Sequence, residues 1–169
     1  MLMNHYPHLP MFFTLLNQVT ENLGLNVSQI IDLNQLSHLA PGTLGRELAT
    51  FYQYRDLEPF TSGPRRKQLH DSVHVLTGYE TDPLGEAEVQ AFLLGSYFRP
   101  FHFVLGLGLV GMLNRRQLYP RSVVRYRLQQ AYQQGKQSGF NIDTWQPETQ
   151  WHMPLSEVQQ QFRLFDSLL

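Results

Sequence analysis

Proline and glycine cut this chain at short intervals into segments of helical period, and that punctuation constrains the fold more than any other feature. Met11 to Leu23 carries Phe12, Leu15, Leu16, Val19 and Leu23 on one face and stops at Gly24, a residue suited to the left-handed position after a helix end. Val27 to Leu39 repeats the pattern with Ile30, Ile31 and Leu36 and breaks at Pro41 and Gly42. A third helix is expected from about Thr43 to Arg55, and Glu58 to Pro64 reads as a loop before a fourth helix ending near Thr77. Asp82 followed by Pro83 is an N-cap with proline in the first helical position, which predicts a fifth helix to about Phe98. Pro100 forces a break before a sixth, mostly apolar helix ending near Asn114, and Pro120 opens a seventh that closes near Gly139. After an irregular stretch holding Trp145 and Trp151, Pro154 opens a last helix running through Phe165. No alternating run is long enough to read as a strand and no segment repeats. The expectation is an all-α fold, a single compact domain over residues 1–169 with about seven or eight helices.

Charge and composition remove several classes of function. Thirteen Lys plus Arg against fourteen Asp plus Glu leave a net charge of -1, so the phosphate attraction of a nucleic-acid binder is missing and no nucleic-acid partner is expected. With no cysteine, disulfides, thiolate nucleophiles and sulfur-ligated zinc are excluded, which leaves His, Asp and Glu as the strong metal ligands. Met1 to Pro10 resembles neither a signal peptide nor an Arg-rich transit peptide, which reads as a complete or already mature cytoplasmic chain. The longest oily stretch, Phe101 to Leu113, falls short of the roughly twenty residues a membrane span needs.

The segment with the most chemical content is His70-Asp71-Ser72-Val73-His74, followed after the eleven residues Val75 to Gly85 by Glu86. On a helix His70 and His74 lie one turn apart on one side, and at ~100° per residue Asp71 falls within the same arc. Gly78 lets the following loop reverse and bring the first turn of the next helix back, so Glu86 becomes a natural fourth ligand. A bare pair of histidines four apart is often a partly buried pair with hydrogen-bonded partners, and an acid in a first turn is favoured by the helix dipole alone. The adjacent carboxylate and the turn of fitting length favour a metal site of His70, Asp71, His74 and Glu86. Two imidazoles and two carboxylates make zinc the leading candidate for one divalent ion, with magnesium, manganese or iron as alternatives.

These residues resemble the metal motif of the coenzyme Q biosynthesis proteins of the Coq-four family, and the resemblance continues outside it. The run Pro41-Gly42-Thr43-Leu44-Gly45-Arg46-Glu47 is similar to a segment that precedes the motif in that family. Arg65 and Lys67 resemble its basic residues before the first histidine, Gly78, Thr81 and Gly85 its turn, Gly135 a later glycine, and Trp151, Leu155 and Val158 its tail. The likeness covers about Leu39 to Val158. It departs in a shorter stretch between Arg46 and His70, in Leu93 where an acid often follows, and in Gln159 for a basic tail residue. The resemblance implies a helical, homodimeric, membrane-peripheral protein that works with other quinone-biosynthesis proteins. It also implies action on a polyprenylated hydroxybenzoate, by removal of the carboxyl group and oxidation of the same carbon.

Two further features bear on function. Arg65, Arg66 and Lys67 stand at a helix start, where the dipole disfavours cations. Arg66 lies one turn before His70 and is the candidate catalytic residue, holding a substrate carboxylate or phosphate against the metal; a solvated basic turn is the alternative. Phe98, Phe101, Phe103, Leu105, Leu107, Leu109 and Val110 surround Gly106, Gly108 and Gly111. That pattern suits ordinary core packing, or a groove for a prenyl lipid or other long-chain amphiphile, or a close helix partner. His5, His8, His38, His102 and His152 lack ligand spacing and read as surface or packing residues. Three functions follow: a metal-dependent decarboxylase of prenylquinone synthesis, a non-catalytic prenyl-lipid scaffold, and, on the His-Asp pair alone, a metal phosphohydrolase.

Overall fold

The structure is a computed structural model that describes residues 26–98 and 100–164, with side chains described for all of these but 100–105. Among the described residues the order is β1 (Asn26–Ser28), α1 (Leu33–Ser37), α2 (Leu44–Arg55), β2 (Ser62–Pro64), α3 (Arg65–Gln68), α4 (His70–Thr77), α5 (Pro83–Ser96), α6 (Pro100–Arg116), α7 (Arg121–Ser138) and α8 (Leu155–Gln161), with a short 3-10 turn at Pro147–Thr149. The expected helix over Met11 to Leu23 lies outside the described residues.

The all-α expectation holds, with corrections at element ends. Val27 to Leu39 is not one helix. Val27 pairs with Gly63 in a two-stranded antiparallel ribbon, and the helix begins only after Asp32, whose carboxylate accepts from the backbone N–H groups of Asn34 and Gln35. That cap ends the helix on its N-terminal side. The loop over Glu58 to Pro64 likewise ends in β2, whose three residues are too few to show a period. The fourth helix is broken at Leu69, a buried residue at φ -89 and ψ -3. Beside the break the buried Gln68 amide donates to the carbonyls of Val27, Ser28 and Gly63, and its oxygen accepts from Ile30 N–H. One side chain therefore supplies the polar partners that tie ribbon to helix. The fifth helix stops at Ser96 because Tyr97 is extended, and the last stops at Gln161, with Arg163 at positive φ.

The main core gathers Leu44, Leu48 and Tyr52 of α2, Val73 and Leu76 of α4, Val89 and Phe92 of α5, Phe140, Trp145, Trp151 and Val158. A smaller cluster of Leu84, Ala87, Leu113 and Val124 joins α5, α6 and α7. α5 and α7 pack backbone to backbone: a Cβ at Gly95 would stand 2.1 Å from the Tyr132 carbonyl, and one at Gly135 would stand 2.0 Å from that of Phe92. The start of α2 is clasped to the tail, where Leu44 and Gly45 N–H donate to the carbonyls of Met153 and Trp151. These bonds satisfy donors that a helix start leaves open.

Candidate metal centre

Three features of the local sequence bring Glu86 to the histidines. Gly78 closes α4 in the left-handed conformation at φ 74, which sends the chain back on itself. Asp82 then caps α5, its Oδ1 accepting from Gly85 N–H at 2.7 Å, with Pro83 in the first turn. Gly85 is required by close approach, since a Cβ there would lie 1.9 Å from the Glu80 carbonyl oxygen. The loop can thus fold flat onto the helix start, and Glu86 follows directly.

His70, His74 and Glu86 place one potential ligand atom each within 4.8 Å of one another. Glu86 Oε2 is 3.5 Å from His70 Nε2, and Glu86 Oε1 is 3.3 Å from His74 Nε2. Asp71 stands on the other side of His70, its Oδ1 3.5 Å from Nδ1. Of the four expected ligands, three therefore converge and the fourth contacts the ring of the first. A carboxylate on the far nitrogen of a ligating histidine orients that ring and raises its basicity.

His74 is fully buried, and its Nδ1 lies 3.0 Å from the Tyr79 carbonyl oxygen. The carbonyl can only accept, so Nδ1 carries a hydrogen and, in the neutral ring that metal binding requires, Nε2 presents a lone pair toward the cluster. Nε2 is buried and forms no hydrogen bond of good geometry, although Glu86 Oε1 is near. In that form the lone pair faces a carboxylate oxygen, a repulsion that a proton on Nε2 or a metal cation between the two relieves. The donor set, two imidazole nitrogens and a carboxylate with a second carboxylate alongside, fits a divalent ion. Phe51 stacks on His74 at 6.1 Å between ring centroids and walls off one side.

Electrostatics follow the same geometry. Burial alone would lower the His70 pKa, but the Asp71 and Glu86 carboxylates overcome it and push His70 up to about 9. Burial would raise both acids, yet His70 holds Asp71 below the usual carboxylate range and His74 does the same for Glu86. Tyr52 was not expected at the site and no spacing in the sequence signals it. Its hydroxyl is buried without a well-formed hydrogen bond, and burial, then the Asp71 carboxylate beside it, raise its pKa.

Arg66 is held elsewhere. Its Nε donates to Asp143 Oδ1 at 3.0 Å and its Nη2 reaches both Asp143 oxygens at 2.6 Å. Arg65 likewise donates to Glu148 Oε2 and to the Trp145 carbonyl, each at 2.6 Å, and Lys67 lies over the Phe60 ring. Arg65 and Arg66 anchor the 143–148 segment to α3. His38 and His152 are exposed, as expected of surface residues.

The described residues thus form a helical domain in which His70, His74 and Glu86 make a half-buried group that could hold a metal ion, and comparison with known proteins makes the class specific. The family model of the coenzyme Q (ubiquinone) biosynthesis protein Coq4 matches residues 25–167, and the chain belongs to that family. It is 26% identical over 145 residues to the mitochondrial ubiquinone biosynthesis protein COQ4 homolog of Mus musculus, covering 78% of this chain and 53% of the relative. With the human homolog it shares 31% identity over 94 residues, 41% of this chain and 36% of the relative. The chain thus spans about half the length of the mouse relative. In fold it is similar to the crystal structure of a putative ubiquinone biosynthesis protein from Nostoc punctiforme, with a TM-score of 0.71 at 20% identity over 83% of this chain and 71% of that one.

Proposed function

We propose that His70, His74 and Glu86, with Asp71 beside them, hold one divalent cation, zinc being the first candidate, and that the centre serves ubiquinone biosynthesis by receiving the polar head of a prenylated precursor. The observation that carries the reading is the buried His74 Nε2, aimed at Glu86 Oε1 without a well-formed hydrogen bond while His70 Nε2 faces the other Glu86 oxygen. Bound there, a cation supplies Lewis acidity toward a carboxylate and a ring oxygen. The protein's own part is to keep His74 in one tautomer through Tyr79, to hold His70 through Asp71, and to exclude water on the Phe51 side. In the finer form of the proposal the head is a polyprenylated hydroxybenzoate whose ring–carboxyl bond breaks to release carbon dioxide while the same carbon gains a hydroxyl, a two-electron oxidation with dioxygen and water as co-reactants and hydrogen peroxide as the reduced product.

One observation favours a second reading, a non-catalytic prenyl-lipid scaffold. Arg66, the residue suited to holding the substrate acid, already has a bidentate partner in Asp143. The deciding experiment incubates metal-loaded protein with a prenylated hydroxybenzoate labelled in its carboxyl carbon, under oxygen. Release of labelled carbon dioxide supports the enzyme; binding without release supports the scaffold.

A further inference from the structure

Glutamine is concentrated on α7 and α8, and its exposure there is uneven. On α7, Gln129, Gln130, Gln133 and Gln137 are exposed while Gln134 is half-buried; on α8, Gln160 and Gln161 are exposed while Gln159 is half-buried. A solvated polar surface accounts for the exposed group. The two half-buried side chains turn inward, and each donates to a backbone carbonyl of another segment.

Gln159 Nε2 donates to the Leu76 carbonyl at 3.0 Å. Leu76 is fully buried in the last turn of α4, so its carbonyl is one of those a helix end leaves without an intrahelical partner. Arg163 then turns the chain at φ 51, a left-handed conformation that a residue with a side chain seldom adopts, and the Leu164 N–H returns to the Gln159 carbonyl at 3.0 Å. The Leu164 carbonyl in turn accepts from Gln134 Nε2 at 2.6 Å. A carbonyl can only accept, so this bond sets the Gln134 amide and leaves its oxygen to accept from the Tyr79 hydroxyl. The carbonyl of that same Tyr79 accepts from His74 Nδ1. The hydrogen bonds therefore leave α4 at Leu76 and come back to it at His74.

Packing alone holds α8 against α4, since Val158 lies in the same core as Val73 and Leu76. It does not hold the Tyr79 carbonyl. Gly78, just before it, is in the left-handed conformation, and a Cβ there would meet nothing within 4 Å. A glycine turn leaves the following peptide free to rotate unless the next side chain is anchored. Tyr79 is anchored twice, by its hydroxyl on Gln134 and by the edge of its ring against Phe92, 6.4 Å between centroids. Gln134 makes a firm anchor because the neighbouring Gly135 is pressed against the Phe92 carbonyl of α5.

We propose that Gln134 and Gln159 are positioning residues for His74: with Tyr79 and the 159–164 tail they fix the carbonyl that orients the imidazole, so that seating of the tail and binding at the metal centre are coupled. The effect on metal affinity rests on the reading of His70, His74 and Glu86 as ligands. The orientation of the ring does not.

The test uses the full chain with isotope-labelled histidine. In the metal-free parent the His74 Nδ1 proton should give a nuclear magnetic resonance signal protected from exchange with water, because Nδ1 donates in a buried bond. Gln134→Leu and Tyr79→Phe should each lose that protection and lower zinc affinity, read by competition with a chelator, by about 10-fold, the low end of what losing an outer partner of a ligating histidine costs. The two changes together should lose no more than either alone, since both break one chain of bonds. Gln159→Leu should weaken signal and affinity, whereas Gln159→Lys should keep them, because the Leu76 carbonyl needs only a donor. Leu113→Ala, in the smaller core cluster, should lower the unfolding midpoint yet leave the ring signal and the affinity as in the parent. An unchanged ring signal in Gln134→Leu and Tyr79→Phe, or losses of the same size in Leu113→Ala, would overturn the proposal. A parent that binds no zinc would overturn the metal reading instead, and the ring signal of the metal-free chain would still decide whether the glutamines position His74.

Discussion

Glu86 Oε1 lies 3.3 Å from a His74 nitrogen that is buried and has no well-formed hydrogen bond. In the neutral ring that nitrogen and the carboxylate oxygen both accept, which marks a place for a cation and generates the first prediction. Zinc at 100 times its dissociation constant should raise the unfolding free energy by about 2.7 kcal/mol, and a chelator should remove the gain. His74→Ala and Glu86→Ala should abolish both the gain and metal retention. Unchanged metal content in both variants, measured by elemental analysis, would reject the site.

Stability without metal should depend on pH through His70. Its pKa is raised to about 9 in the fold from 6.5, so the native state holds a proton more tightly than the unfolded chain does. That contribution is complete below pH 6.5 and is lost as pH rises through about 9. Metal affinity should move the opposite way, climbing over the same window because the cation must displace that proton. Denaturant midpoints of the metal-free chain and of His70→Gln, compared across this range, check the sign: only the parent should lose stability toward alkaline pH.

Asp71 and Tyr52 should act through His70. Removing the partner that orients a ligating histidine typically lowers metal affinity 10- to 100-fold. Asp71→Ala should therefore lose at least that much. Tyr52→Phe, which keeps the packing and removes the buried hydroxyl, should lose a smaller amount. Competition with a chromophoric chelator measures both, and equal affinities for parent and Tyr52→Phe would remove Tyr52 from the site.

For Arg66 the expected outcome separates chemistry from anchoring. If it holds an acidic head group, Arg66→Ala keeps the metal and weakens head binding by about 10- to 150-fold, the value of a hydrogen bond to a charged group. If it only anchors the 143–148 segment, Asp143→Asn reproduces whatever Arg66→Ala does. Titration of both variants with a hydroxybenzoate distinguishes the cases.

At Gly135 a side chain has no room, with the Phe92 carbonyl 2.0 Å from where its Cβ would stand. Gly135→Val should force α5 and α7 apart and cost about 1–3 kcal/mol, as overpacking does. Because Glu86 rides on α5, metal affinity should fall with stability. Calorimetry with and without zinc reads both effects.

What the sequence by itself determined was local. Pro83, Gly78 and Asp82 mark where α5 starts and α4 ends because cap chemistry is decided by a residue's own backbone limits and side-chain oxygen. The one-turn spacing of His70 and His74 fixes their shared face, and the resemblance to the Coq-four family rested on the same residues. Contacts between distant segments left no such mark. A ribbon of three residues per strand has no period to detect, so the helical period over Val27 to Leu39 does not reveal that Val27 pairs with Gly63. Gln68 gave no sign that it would bridge ribbon and helix. Asp71 and Glu86 were equivalent as candidate ligands, and only the approach of α5 to α4 set Glu86 among the imidazole nitrogens while Asp71 contacted the other side of His70. Arg66 showed its charge but not Asp143, because an ion pair between distant residues exists only once the chain has folded them together.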